Sequence, residues 1–332
     1  MRVTIADVAR TAAVSKTTVS RVLNGKGEVD RTTAERVRGV IDELGYVPSS
    51  RAVSLARGNS RTLAILVPSL GWPWISQILQ GVSDTVESAG YGLLLFTCNR
   101  GEQSMAQFTS QVTARAFDGL LAIVPGDALP TLEKLHAQGL PAVVIDDQGQ
   151  RPRLPFVATT NAEGGAAAAR HLLDTGRVRP LVVAGPPRFG CVQDRLTGFR
   201  AALRERNLPK PGALVVGSDF TVSSGRRAVE GVLAEGRPFD SVFALNDQTA
   251  VGALAALRAG GRSVPDDVAV IGFDDVPMAS VSDPQLTTIR QPIRRMGEAA
   301  AQMLLHHLQG APLPAEPVVL PTELVVRASA PN

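Results

Sequence analysis

Serine, arginine, asparagine and aspartate recur in this sequence directly after short apolar runs, where buried strands would end. Ser69 follows the run 63–67, Asp146 follows 142–145, and Arg195 lies on the loop and helix after 181–184. Asn246 and Asp247 follow 242–245, and Asp274 and Asp275 follow 268–271. A guanidinium and a carboxylate can each engage two neighbouring hydroxyls, and a carboxamide both donates and accepts. Arg195, Asn246 and Asp274 therefore carry the chemistry to hold a polyol. Asp247 and Asp275 have a simpler reading as N-caps of the helices that follow. A second group, Lys16, Thr17 and Arg21, sets basic and hydroxyl side chains on one helical face, which suits phosphates and base edges.

The elements that must position the first group come from a repeating pattern. Apolar runs at 63–67, 93–96, 120–124, 142–145, 181–184, 242–245 and 268–271 are separated by helical stretches, about 25–30 residues apart. Continuous apolar runs are the mark of parallel strands buried on both faces, so this part of the chain is βαβ architecture. Ligands in such folds sit beyond the carboxyl ends of the strands, where the polar residues above stand.

The second group belongs to a small helical head. Thr4 with Asp7 fits a capping box, and Ile5, Val8, Ala9 and Ala12 make one apolar stripe. Ser15 caps a second helix, with Val14 and Val19 as a hydrophobic staple and Val19, Val22 and Leu23 facing inward. That leaves Lys16, Thr17, Ser20, Arg21 and Asn24 outside. Thr32 and Glu35 fit a further capping box, and Gly45 supplies a stop before Pro48. About three residues separate the first two helices, the spacing of a helix-turn-helix whose second helix fits the major groove. Ala13 stands in the turn where glycine would be easier, at a cost of about 1 kcal/mol if φ is positive.

Composition narrows the function further. The 332 residues are 44% hydrophobic and 20% charged, which fits a globular chain of two or three domains. Residues 1–60 hold ten Lys or Arg against six acids, so the whole positive excess sits at this end and suggests a polyanion partner. No apolar stretch approaches membrane-spanning length and no secretory signal opens the chain, so a cytoplasmic location is expected. Cys98 and Cys191 form no CxxC pair, and the four histidines, His136, His171, His306 and His307, have no metal-ligand spacing. His171 reads as packed in a helix, and His306 and His307 as solvated. Phosphate-binding glycine motifs and nucleophile elbows are absent, so no cofactor, metal or catalytic activity is expected.

The run Thr4-Ile5-Ala6-Asp7-Val8-Ala9, the run from Val14 through Arg21 to Asn24, and Leu44-Gly45-Tyr46-Val47-Pro48 resemble the head of the lac repressor (LacI/GalR) family. The resemblance covers almost the whole chain. Asp194 to Arg200, Phe243 to Asp247, Val270 to Asp275, Leu286 to Pro292 and Leu320 to Arg327 are similar to the family's effector-binding body. It implies that residues 49–60 order into a hinge helix on DNA, with Leu55 wedged into the minor groove; composition alone reads them as a flexible tether. It implies also that Trp74 and Phe220 wall the pocket; read without it, Phe220 fits the core as well as the pocket, and Trp72 belongs at the surface or rim. Ala13 departs from the family's usual glycine, and Val53 stands where relatives often carry arginine. Ser69 and Thr160 replace common aspartates, and Arg177 a common histidine. Asp146 or Asp147 would compensate in the pocket.

The expected fold is an all-α helix-turn-helix head followed by an α/β body of two doubly wound parallel-sheet subdomains, of periplasmic-binding-protein type. The boundaries are 1–48 for the head, 49–61 for the hinge and 62–332 for the body. Subdomain 1 takes about 62–160 and 291–321, and subdomain 2 about 161–290 and 322–332. The expected function is a repressor of pseudo-palindromic operators, acting as a homodimer under a sugar-like effector. The DNA-contacting residues would be Thr4, Ser15, Lys16, Thr17, Ser20, Arg21, Asn24 and Leu55. The effector residues would be Ser69, Trp74, Asp146, Arg195, Phe220, Asn246 and Asp274. The alternative, a stand-alone solute-binding protein of a transport system, would leave the head unexplained.

Overall fold

A computed structural model describes residues 3–23, 29–47, 59–146, 153–206 and 214–332, and the chain divides into two compact units, Met1–Arg61 and Thr62–Asn332. The first unit is built from α1 (Ile5–Thr11), α2 (Lys16–Leu23) and α3 (Arg31–Leu44). Val8, Val19 and Val37 are fully buried where the three helices meet, with Ala12, Val22 and Tyr46 around them. Asp7 accepts the Thr4 N–H at 3.0 Å and the Thr4 hydroxyl at 2.7 Å, which fixes the entry to α1. Ser15 Oγ accepts the Thr18 N–H at 3.1 Å at the start of α2. Between them Ala13 is left-handed, φ 51°, the strain anticipated for that turn.

The start of α3 differs from the expected Thr32–Glu35 capping box. Its cap is Asp30, which accepts the Thr33 N–H at 2.9 Å, so Thr32 and Glu35 lie inside the helix. A carboxylate at that position both accepts the hydrogen bond and faces the positive helix end. Glu35 instead pairs with Arg31 at 2.9 Å. Gly45, φ 60°, ends the helix in the left-handed conformation.

The second unit holds two six-stranded sheets. One has the order β11-β5-β4-β3-β1-β2, from β1 (Thr62–Val67), β2 (Gly92–Thr97), β3 (Gly119–Ile123), β4 (Ala142–Ile145), β5 (Phe156–Thr159) and β11 (Val318–Leu320), all parallel. The other has the order β12-β10-β9-β8-β6-β7. Its strands are β6 (Pro180–Ala184), β7 (Val215–Gly217), β8 (Ser241–Ala244), β9 (Ala269–Asp274), β10 (Thr287–Arg290) and β12 (Glu323–Val325). β12 runs antiparallel to β10 at the edge, so this sheet is mixed rather than purely parallel. The chain passes between sheets after β5, after β10, and between β11 and β12. Thr160 and Thr322 lace two of these passages together: the Thr160 hydroxyl accepts the Thr322 N–H at 2.8 Å.

Helices α4 (Ile75–Ser88) and α12 (Ile293–Leu308) pack on the first sheet's side of the core, and α7 (Asn161–Asp174) and α8 (Gly190–Glu205) pack on the second. The α7–α8 contact depends on Gly165 and Gly198. A Cβ on Gly165 would collide with the Arg195 carbonyl, and one on Gly198 with the Ala162 carbonyl. His171 is buried in α7 and donates from Nε2 to the Ala330 carbonyl at 2.8 Å. Among the described residues no helix is long and apolar enough to cross a membrane.

Candidate functional site

In the first unit α2 buries Val19 and Val22 and leaves Ser15, Lys16, Thr17 and Arg21 exposed, with Ser20 half-buried beside them. The basic and hydroxyl groups thus share the helix face turned away from the core, Lys16 and Thr17 in its first turn and Arg21 in its last. Asn24 and Leu55 lie outside the described residues.

In the second unit a cavity of about 140 Å³ opens at the carboxyl ends of strands from both sheets. Val124 after β3 and Asp146 after β4 line it from the first sheet, and Asn246 after β8 and Asp274 at the end of β9 from the second. Arg195 reaches it from α8. The Arg195 guanidinium is almost entirely buried and stacks 3.6 Å from the Phe273 ring centroid. Its Nε donates to Asn161 Oδ1 at 2.9 Å and its Nη1 to the Leu245 carbonyl at 2.5 Å, while Nη2 lies 3.7 Å from Asp274 Oδ1. The cation is therefore aimed by three partners before any ligand arrives.

Asp274 is pinned in turn by Gln291, whose Nε2 donates to Oδ1 at 2.7 Å. The Gln291 carbonyl oxygen accepts from the Thr159 hydroxyl at 2.6 Å, so one amide joins the two sheets at a passage between them. Burial pushes the Asp274 carboxyl up to about 6, against the opposing pull of Arg195 and Gln291. Behind it Asp247 is pushed up as well, first by burial and then by the charge on Asp274. Burial likewise drives the Cys191 thiol on the cavity wall up to about 12, so it is a neutral group there.

Four aromatic rings form the apolar wall. Trp72 and Trp74 lie 5.5 Å apart, Trp72 meets Phe189 edge-on at 6.0 Å, and Phe189 sits 5.8 Å from Phe220. Such a wall matches the apolar face of a ring-shaped ligand. The backbone around the cavity is unusually left-handed: Val124, Asp146, Phe220, Asp274 and Asp275 all have positive φ. Conformations of this kind cost of order 1–3 kcal/mol each and gather where side chains must be aimed.

Several sequence expectations change. Trp72, expected at the surface or rim, is half-buried and lines the cavity. Ser69 does not line it; its hydroxyl accepts the Gly71 N–H at 3.1 Å and shapes the turn that carries the tryptophans. Neither Asp247 nor Asp275 is a helix cap. Asn246 caps α10 (Asp247–Ala259) by accepting the Thr249 N–H, and its Nδ2 tethers the Phe220 carbonyl at 3.0 Å. Asp247 instead accepts from the Val276 N–H and the Thr288 hydroxyl, and Asp275 pairs with Arg290 and Arg327 at 2.7 Å each. Thr160 is spent on Thr322, and Arg177 on the carbonyls of Pro265, Asp266 and Asp267. Asp147 lies outside the described residues. Phe189, Asp219, Gln248 and Gln291 line the cavity without having been singled out for it. Phe189 and Gln248 carried the same signal as the rest, a position soon after a strand.

Comparison with known proteins agrees with both units. The family description "Bacterial regulatory proteins, lacI family" matches residues 4–49, and "Periplasmic binding protein-like domain" matches 169–330. The HTH-type transcriptional regulator MalR of Streptomyces coelicolor is 34% identical, covering 99% of this chain and 97% of its own. A transcriptional regulator CelR–cellobiose complex is 33% identical with a TM-score of 0.75, over 99% of this chain and 100% of its own. A lac repressor dimer bound to operator and the anti-inducer ONPF superposes with a TM-score of 0.90 at 27% identity, over the full length of both chains. The helix-turn-helix, the two-sheet body and relatives matched from end to end lead to one assignment: the chain belongs to the LacI family of DNA-binding transcriptional regulators.

Proposed function

We propose that this regulator is a repressor that binds a pseudo-palindromic operator as a homodimer and is controlled by a small saccharide in the cavity of its second unit. The observation that carries the reading is the pairing, in that cavity, of a four-ring aromatic wall with a preaimed Arg195–Asp274 pair. Trp72, Trp74 and Phe220 would cover the apolar face of the sugar, while Asp146, Arg195, Asn246 and Asp274 take its hydroxyls. The similar CelR structure holds cellobiose, which supports a saccharide here.

On the DNA side, Lys16, Thr17, Ser20 and Arg21 would enter the major groove with Asn24, and Thr4 and Ser15 would contact the backbone. Residues 49–61 would serve as the hinge between a head of 1–48 and a body of 62–332, with Leu55 as the minor-groove wedge. The body would act as subdomains of 62–160 with 291–321 and 161–290 with 322–332. A protein with these partners works where the DNA is, in the cytoplasm, and as a binder rather than an enzyme. The test is a thermal-shift screen of sugars and nucleosides against the full chain, each hit then scored for its effect on binding to DNA from the protein's own genomic neighbourhood. A saccharide that shifts melting and changes DNA affinity is expected. Silence from every saccharide would overturn the sugar assignment.

A further inference from the structure

Among the described residues, four uncharged side chains with strong hydrogen-bonding groups line the cavity: Thr221, Asn246, Gln248 and Gln291. Three of them are already in use. The Thr221 hydroxyl donates to Asp219 Oδ1 at 2.5 Å and accepts the Ser224 N–H at 3.2 Å. Asn246 accepts the Thr249 N–H at 2.9 Å through Oδ1 and donates through Nδ2 to the Phe220 carbonyl at 3.0 Å. Gln291 joins Thr159 to Asp274 with one bond from each end of its amide. Gln248 differs. It is half-buried on the cavity wall, and its side chain makes no hydrogen bond to any described residue. Both ends of its carboxamide are available to a ligand.

The backbone that carries Gln248 is fixed on both sides. Asp247 and Thr249 are fully buried. Asp247 accepts the Val276 N–H at 2.8 Å and the Thr288 hydroxyl at 2.5 Å, and Thr249 is held by the Asn246 cap. One turn on, Gly252 lets the Val222 carbonyl approach so closely that a Cβ there would collide with it. The first turn of α10 is therefore set before a ligand arrives, and it carries Gln248 to the wall. A carboxamide on a fixed support can accept from one hydroxyl and donate to its neighbour, the pairing that a vicinal diol offers. A sugar that lacks either hydroxyl leaves one end of the amide without the partner that water gave it.

We propose that Gln248 is a specificity-determining residue of the cavity, reading a pair of neighbouring hydroxyls on the saccharide through the two ends of its carboxamide. This rests on the reading of the cavity as the effector site. The experiment is calorimetry on the full chain with glucose, galactose, ribose and cellobiose, followed by the monodeoxy analogues of whichever binds most tightly, in the wild type and in Gln248→Met. Methionine keeps the length and the helix propensity of glutamine and loses both hydrogen-bonding groups. Gln248→Met should keep the melting temperature of the free protein and weaken the parent sugar about threefold to tenfold. Two analogues, lacking adjacent hydroxyls, should bind the wild type more weakly by a similar factor and bind Gln248→Met with no further loss. Removal of any other hydroxyl should cost the wild type and the variant alike. Gln248→Glu, which suits a first helical turn and keeps an acceptor but no donor, should still discriminate at one of the two hydroxyls and not at the other. Equal binding of the parent sugar by the wild type and Gln248→Met overturns the proposal and leaves the saccharide reading standing. So does a loss in Gln248→Met that is the same for the parent and every analogue, the mark of a merely structural role. Silence of all four sugars in the wild type overturns the saccharide reading, and the proposal with it.

Discussion

At the scale of single residues, the cavity is a set of polar groups whose partners were chosen before the ligand comes. Asp274→Ala removes an acceptor and leaves Arg195 buried with no carboxylate beside it. Loss of a charged hydrogen bond in such a site costs on the order of 1.5–3 kcal/mol, so saccharide affinity should fall about tenfold to a hundredfold in calorimetry. DNA affinity without ligand should stay within twofold, since the helix-turn-helix is a separate unit. The raised carboxyl of Asp274 also predicts a pH response of the fold. The native state holds this proton more tightly than the unfolded chain does. Its contribution to stability is therefore full below 3.8, falls as pH rises towards about 6, and is gone above that. Urea unfolding of the wild type should show that slope between pH 4 and 6, and Asp274→Asn should flatten it. These residues were legible because chemistry follows strand ends in this architecture, which is how Arg195, Asn246 and Asp274 stood out. The roles within the set were not legible. Whether Asn246 or Asp247 caps α10 depends on where Thr288 and Val276 arrive from elsewhere in the chain. Gln291 stood in the sequence only at a subdomain boundary, and only the fold brings its amide to Asp274.

At the scale of elements, long buried runs were easy to read and short edges were not. β1, β3 and β4 are apolar almost throughout and lie in the middle of a sheet, so sequence and burial coincide. β7, β11 and β12 are three-residue strands at sheet edges, too short and too exposed to make a run. β10 is buried although it opens on two threonines, because Thr287 bonds the Arg327 carbonyl and Thr288 bonds Asp247. The closest helix approach makes a further prediction. Gly198→Ala places a methyl against the Ala162 backbone, which α8 can relieve only by moving, and Arg195 moves with it. Thermal unfolding should show a loss of about 1–3 kcal/mol, accompanied by weaker saccharide binding. On the other unit, α2 presents Arg21 on the face away from Val19. Arg21→Ala should cost about 1–3 kcal/mol of affinity for cognate DNA if the contact is to a base, and far less on a scrambled duplex. Equal losses on both duplexes would make Arg21 a phosphate contact.

At the scale of the whole molecule, regulation requires that one ligand favour one of two states of the protein. A saccharide can change operator affinity only by the factor by which its own affinity differs between the DNA-competent and incompetent forms, and the effect is reciprocal. The Arg195–Asp274 pair is well placed for such a difference. Arg195 holds Asn161 at one passage between the sheets, and Asp274 holds Gln291 at another, so a ligand that repositions the pair acts on both. Coupling energies of about 1–3 kcal/mol are typical of such linkage, or about 5- to 150-fold in affinity. The most direct measurement is a titration of the full chain onto selected cognate DNA, with and without the saccharide that most raises its melting temperature, in the wild type and in Arg195→Ala. The expected result is a shift of at least fivefold in the wild type that disappears in Arg195→Ala while DNA affinity without ligand is retained. A cognate affinity that the bound saccharide leaves unchanged in the wild type would contradict the account.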